Sequence, residues 1–381
     1  MSAVIGELLA CPRCHGELTT QDGRWLCSGC GPVGTTTLGF PDFLNGAPTL
    51  VMAAEGLMDL RADEELAREL HQAADGLEFD GLCELAAATR ARQEGRSGWA
   101  PSRLSTVERF ESRIARVNAE GSPKGADALL AKVDRKLDEL GWVPVGKGAA
   151  LEAGGGQGLY LAALSGRFET VVFVDASLAN VVLADKIARQ EGLANVSCVR
   201  ADVMALPFAG DAFDLVHQNG VIEHVADPVA MAREGVRVRR KTGYYVCVSP
   251  NRMSLAPEPH CGLPAYGFIP DAIRRPLIRR RRGLSYEESA TDPRSLGQLR
   301  RFLAGNEGDE LATFFLPRHL PFTARQTRAR RLVRTLLDTP VVGAAVDRLL
   351  NVVLLPVVPQ HIAIARCAPA PPHATPNRMR R

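Results

Sequence analysis

The sequence predicts an α/β fold, an open and mostly parallel sheet with helices on both faces, preceded by a small cysteine-rich module. Three observations predict it. From Ala149 onward, short apolar runs alternate with segments of helical periodicity, the signature of consecutive βα units. The first run ends on Glu152 and enters a glycine-rich turn, Ala153-Gly154-Gly155-Gly156-Gln157-Gly158; strand, tight turn and helix build a nucleotide pocket at the carboxyl end of such a sheet. Near the amino terminus, Cys11-Pro12-Arg13-Cys14 and Cys27-Ser28-Gly29-Cys30 set two thiol pairs twelve residues apart.

Composition bounds the rest. A chain of 381 residues holds two or three units, and 46% apolar residues suffice for a sizeable core. A net charge of +3 gives no general pull towards nucleic acid. Met1 to Ala10 lacks the basic-then-apolar pattern of a secretory signal. The longest apolar stretch, Pro340 to Val358, is interrupted by Asp347, Arg348 and Asn351, so no membrane-spanning helix is expected. The chain reads as cytoplasmic, and its nine cysteines read first as metal ligands or buried thiols.

In chain order, Cys11, Cys14, Cys27 and Cys30 come first. Each knuckle can turn two thiolates towards one point, and four thiolates suit tetrahedral Zn2+ with no open position, so a structural role is expected. Leu18–Thr20, the turn Gln21-Asp22-Gly23 and Arg24–Leu26 supply a hairpin between the knuckles. A redox dithiol would use one such motif beside a βαβ unit, which is absent there. Helical spacing then predicts helices over Ala53–Ala74 and Leu77–Arg92, a break over Glu94–Ser102, and a helix from Ser105 or Thr106 to about Val117. After a second break at Gly121–Gly125, Leu129, Leu130, Val133, Leu137 and Leu140 share one face of a helix over Asp127–Leu140.

From Ala149 the elements follow regularly. The strand Thr170–Val174 ends in Asp175, and Ser177 is placed to cap a helix through Gln190. Asn195–Asp202 is a third strand ending in an acid. Leu206-Pro207-Phe208, the strand around Phe213–Val216 and Val221–Val225 come next. Asp227-Pro228 opens a helix to about Arg239, with proline suited to the first turn. Tyr244–Val248 is a fifth strand, and His361–Arg366 a last one, with Leu311–Leu316 a weaker candidate for its partner. Between them, Asn251 to about Arg331 lies at the carboxyl ends of the strands and is expected to cover a substrate. It contains Arg274, Arg275 and the run Arg279–Arg282.

The glycine spacing, Glu-x-Gly-x-Gly-x-Gly, narrows the ligand. A dinucleotide fingerprint needs a third glycine where Leu159 or Leu161 stands, and no Gly-Lys-Ser/Thr closes a phosphate loop. With the acids at Asp175 and Asp202 and the later motifs in order, Ala149 to Pro250 resembles the class I S-adenosylmethionine-dependent methyltransferases. The resemblance implies a Rossmann-like seven-stranded sheet, parallel with one antiparallel strand, and S-adenosyl-L-methionine as cofactor. It implies cofactor contacts from Glu152, Gly154, Gly156, Gly158, Asp175 at the ribose, Asp202 and Val203 at the adenine edge, and Asn219. His224, just past the fourth strand, falls where the family lines the transfer site, and with His260 in the cover it is a candidate base. His217, inside the fourth strand, reads as a core group. Leu8 to Leu44 resembles the zinc-ribbon domains that accompany some methyltransferases, where the ribbon is a scaffold or a recognition surface.

The expected organisation is a zinc ribbon over 1–45, a helical linker or cover over 46–145, the cofactor-binding core over 146–250, a substrate-cover insertion over 251–335, completion of the sheet over 336–368 and a disordered tail over 369–381. The function implied is methyl transfer to a small-molecule O, N or C nucleophile, of natural-product or lipid-like character. RNA-base or modified-peptide methylation and a non-catalytic scaffold are the alternatives. Only 6% of residues are aromatic, few for stacking bases, and no Asn-Pro-Pro-Tyr-type motif follows the fourth strand. The basic cluster and the apolar stretch near the carboxyl terminus also suit peripheral membrane contact.

Overall fold

The structure, a computed structural model, describes residues 3–44, 50–53, 56–96, 123–258, 262–282, 293–303, 309–314 and 360–367, with 355, 357 and 358. The helix expected from Ser105 to Val117, His260, most of Pro340–Val358 and the tail after 368 lie outside the described residues.

A short helix α1 (Ala3–Leu8) leads into β1 (Leu18–Gln21), β2 (Arg24–Cys27), β3 (Gly31–Thr37) and β4 (Phe40–Asp42). The hairpin β5 (Leu50–Ala53) and β6 (Gly56–Asp59) precedes helices α2 (Leu60–Ala73), α3 (Phe79–Arg96) and α4 (Pro123–Glu139). The expected helix over Ala53–Ala74 therefore starts only at Leu60, because antiparallel pairing claims the residues before it and sets Val51 opposite Met58. The core is β7 (Ala149–Ala153), α5 (Leu161–Ser165), β8 (Thr170–Asp175), α6 (Leu178–Gln190), β9 (Val196–Arg200), β10 (Phe213–Asn219), α7 (Pro228–Val238) and β11 (Arg239–Pro250). Ser177 caps α6 by accepting from the amide of Asn180, and Asp227 caps α7 by accepting from Val229 and Ala230, with Pro228 in the first turn. Helices α8 (Asp271–Arg282) and α9 (Leu296–Leu303) and strands β12 (Asp309–Phe314) and β13 (Gln360–Cys367) follow.

Eleven of the described strands form one sheet in the order β1-β2-β3-β4-β9-β8-β7-β10-β11-β13-β12. Its seven-stranded part, β9 to β12, is parallel except for β13, which runs antiparallel to both β11 and β12. This is the Rossmann-like sheet the sequence predicts. The completing hairpin draws β12 from inside the stretch expected to be substrate cover. The four remaining strands are those of the cysteine module, which continues the sheet: β4 lies parallel to β9, with Asp42 opposite Arg200.

Alternation along each strand sends residues to two cores. Ala150, Val171, Phe173, Tyr244 and Val246 face α2 to α6. Leu151, Val172, Val174, Val216 and Tyr245 face the other side, where Trp25 and Phe43 of the module pack with Phe208, Phe213, Met231 and Leu299. Both faces being covered, the strands read as continuous apolar runs. Helices α2 and α3 pack against α6 on the flank of the sheet.

Candidate cofactor and catalytic site

The glycine bend between β7 and α5 forms the floor of the site. Gly154, Gly156 and Gly158 all have positive φ, at 72°, 58° and 77°. At two of them a side chain has no room: a Cβ on Gly154 would lie 2.7 Å from both Val221 methyls, and one on Gly158 would lie 2.8 Å from Leu161 Cδ1. Above Gly156 the space is open, with nothing within 4 Å of a Cβ position. A flat ligand can lie against that backbone.

Asp175, at the end of β8, closes one side. Its Oδ2 accepts from the Gly156 amide at 2.9 Å, and its Oδ1 accepts from the Ser177 amide at 2.9 Å and from Asn180 Nδ2 at 3.2 Å. Oδ2 retains capacity for one more donor, such as a ribose hydroxyl. Burial, helped by the nearby charge of Asp63 and opposed by the Ser177, Gly156 and Asn180 donors, pushes its pKa up from 3.8 to about 6. A desolvated carboxylate aimed at an open bend fits the sugar of a nucleoside cofactor. Asp202, two residues past β9, accepts from the Met204 amide at 2.8 Å and is also shifted upward by burial; Val203 beside it is buried.

Glu152 and Asn219 are tied to residues that the sequence did not single out as functional. The parallel register of β7 and β10 sets His217 opposite Glu152, and His217 Nδ1 lies 2.6 Å from Glu152 Oε2 with both side chains buried. The other ring nitrogen, Nε2, has no hydrogen-bond partner among the described residues. The Tyr160 ring lies 4.5 Å from the His217 ring, and its hydroxyl accepts from Asn219 Nδ2 at 2.6 Å. His217 is thus a core group, as read, yet it is also the partner of the acid that opens the glycine bend. Only the strand order could have revealed this, since the two residues are 65 positions apart. His224 is partly exposed, with Nε2 3.8 Å from Glu223 Oε1, and its amide donates to Val221 O in the loop after β10.

In the amino-terminal module the Sγ atoms of Cys11, Cys14, Cys27 and Cys30 all lie within 4.8 Å of one another. Four thiolates about 2.3 Å from a common centre require such spacing, so the set fits tetrahedral zinc. Backbone amides of Gly29 and Cys30 point at Cys27 Sγ, and these donors, with Cys14, lower its pKa to about 7. His15 sits at positive φ in the first knuckle and is not among the clustered ligand atoms.

The fold is an α/β domain with an open glycine bend at the carboxyl end of the first strand of its parallel core. Residues 151–247 match the methyltransferase domain family, and this central segment is a class I S-adenosylmethionine-dependent methyltransferase domain. The ubiquinone biosynthesis O-methyltransferase of Parvibaculum lavamentivorans is 33% identical over 103 residues, 27% of this chain and 40% of that relative. The uncharacterized methyltransferase YcgJ of Bacillus subtilis is 30% identical over 98 residues, 26% of this chain and 39% of the relative. The crystal structure of YcgJ superimposes with a TM-score of 0.39 at 17% identity, covering 65% of this chain and 99% of the other. The chain thus spans about two fifths of the length of these curated relatives. Among the described residues, no helix is long and apolar enough to cross a membrane.

Proposed function

We propose that the protein transfers a methyl group from S-adenosyl-L-methionine to a hydroxyl of a lipid-like small molecule in the cytoplasm. The observation that carries this reading is the buried Asp175 carboxylate facing the open glycine bend, inside a segment that matches methyltransferase domains. The bend would take the nucleoside, Asp175 its ribose, Asp202 and Val203 its adenine edge, and Glu152 and Asn219 the methionine end. The cofactor supplies an activated methyl. The protein's part is orientation, which alone can contribute about 7–11 kcal/mol, and removal of the acceptor's proton. His224, in the loop after β10, is the candidate base that would take that proton and pass it to water. His260, the second candidate base, lies outside the described residues.

An oxygen acceptor follows the name of the first relative, an O-methyltransferase. A lipid-like acceptor is supported by the cover: Phe268, Ile273 and Leu277 are exposed beside Arg275 and Arg280 on and before α8, a basic and apolar surface suited to peripheral membrane contact. The four cysteines would hold a structural zinc. The test is transfer of labelled methyl from S-adenosyl-L-methionine into separate pools of phenolic lipids, peptides and RNA. Label in the lipid pool supports the reading; label only in RNA or peptide redirects it; no label in any pool overturns it.

A further inference from the structure

Arg200 is among the most deeply buried charges of the described residues. It ends β9, two residues before Asp202 and directly opposite Asp175 in the β8–β9 register, with a side chain 1% exposed. Three separate elements converge on it. Asp42 of β4, itself 0% exposed, places Oδ2 3.1 Å from Nη1. Glu64 of α2 places Oε1 3.1 Å from the same nitrogen, and Asp63 Oδ2 lies 3.8 Å from Nη2. The remaining donor, Nε, reaches Ala176 O at 3.1 Å. Ala176 is the residue between Asp175 and the α6 cap.

The same acids reach further into that turn. Asp63 accepts from Ser177 Oγ at 2.5 Å and from the Leu178 amide at 2.7 Å, and the Ser177 amide is one of the donors that orients Asp175. The residues just before Cys11 hold the loop that follows Asp202. Ala10 donates to Pro207 O at 2.9 Å, Ala209 donates to Leu8 O at 3.0 Å, and Leu9 bridges to Phe208. The cysteine module therefore brackets both loops that carry cofactor-facing acids, one through Asp42 and Arg200, the other through its own backbone. Neither contact touches the site itself.

We propose that Arg200 is a positioning residue through which the folded cysteine module fixes the Asp175 turn, so that cofactor affinity depends on the integrity of the module. The physical basis is the asymmetry of buried charge. With Asp42 in place, Arg200 is neutralised on the module side and its Nε is held against Ala176. If the module loosens, Arg200 loses its fully buried counterion, is left with the partly exposed Glu64 and the more distant Asp63 on α2, and is drawn off Ala176 O towards solvent. Freed from that contact, the turn has to be re-ordered by the ligand, and affinity falls by the cost of ordering. The inference rests on the methyltransferase reading for its ligand, though the mechanical link does not.

The full chain tests it by two readouts. Amide exchange at 176–178 and 202–206 reports the link without any ligand, and calorimetric titration with S-adenosyl-L-methionine reports its consequence. In Asp42→Asn, and in wild-type protein stripped with a zinc chelator, exchange in both segments is expected to accelerate and the dissociation constant to rise about tenfold, equivalent to ~1.4 kcal/mol. Asp42→Glu, which keeps the charge, should recover most of the affinity. Val133→Ala, which loosens α4 away from this network, should lower stability and leave affinity where it was, separating positioning from general weakening. Unchanged exchange at 176–178 in both Asp42→Asn and the stripped protein overturns the link, as does a loss of affinity in Val133→Ala equal to that in Asp42→Asn. Wild-type protein that fails to bind the cofactor overturns the methyltransferase reading instead, before any variant is compared.

Discussion

Replacing Asp175 with asparagine should move stability and cofactor binding in opposite directions. The folded pKa of about 6 lies above the ordinary 3.8, so the folded chain holds this proton more tightly than the unfolded one. The ionised group is therefore destabilising above about pH 6, and that penalty is relieved as pH falls from 6 towards 3.8. A gap of about two units corresponds to about 3 kcal/mol at neutral pH. Asp175→Asn removes the charge without changing the shape. Against that gain, the new amide faces the Gly156, Ser177 or Asn180 donors, and one buried donor left unpaired costs about 1–3 kcal/mol. The apo variant should thus melt at or slightly above wild type at pH 7. Wild type should narrow that difference as the pH is lowered to 5, where its own carboxylate begins to protonate. Cofactor binding should fall about 10- to 150-fold, the loss of one or more hydrogen bonds to a charged acceptor at about 1.5–3 kcal/mol. Wild-type affinity should also decline below about pH 6. Differential scanning fluorimetry at pH 5 and 7, with calorimetry at both, reads all four quantities. A variant that melts well below wild type at pH 7 while binding the cofactor normally would mean that Asp175 neither carries a burial penalty nor holds the ligand.

Other perturbations follow from the same geometry. His217→Leu strands the buried Glu152 carboxylate and should destabilise the fold by about 3–5 kcal/mol, while His217→Gln, which can still donate, should cost clearly less; equal melting points for the two would contradict the pairing. Gly154→Ala puts a Cβ 2.7 Å from Val221 at φ 72° and should cost about 1–3 kcal/mol, whereas a silent substitution, read by urea denaturation, would mean the bend is more open than described. Cys27→Ser should reduce bound zinc from about one ion per chain and lower the melting temperature, because closed thiolate sites contribute directly to folding. Atomic emission on wild type that finds no zinc removes that expectation.

The parts of the fold legible in the sequence are those set by local chemistry. Glycines at φ above zero, Ser177 and Asp227 as caps, Pro228 in a first turn and paired Cys-x-x-Cys knuckles each carry their reason within a few residues. The hairpin before α2 was hidden because Leu50–Asp59 contains the alanine, leucine and methionine of a good helix, and only antiparallel pairing across the turn overrides that preference. Glu152 and His217, or Asp42 and Arg200, could not be matched from sequence at all. They stand 65 and 158 positions apart, and what joins them is strand order and register. The union of the cysteine module with the main sheet was hidden for the same reason: its visible signal is a buried acid in Phe40-Pro41-Asp42-Phe43, which by spacing alone is a strand residue of no special note.

If the bend at Gly154–Gly158, closed on one side by Asp175, is a sulfonium-nucleoside site, binding alone should distinguish adenosyl ligands from a dinucleotide. Isothermal titration of the full chain with S-adenosyl-L-methionine, repeated with S-adenosylhomocysteine and with NAD, measures it most directly. One site per chain is expected for both adenosyl ligands and none for NAD. Equal binding of NAD, or no heat with either adenosyl ligand, would contradict it.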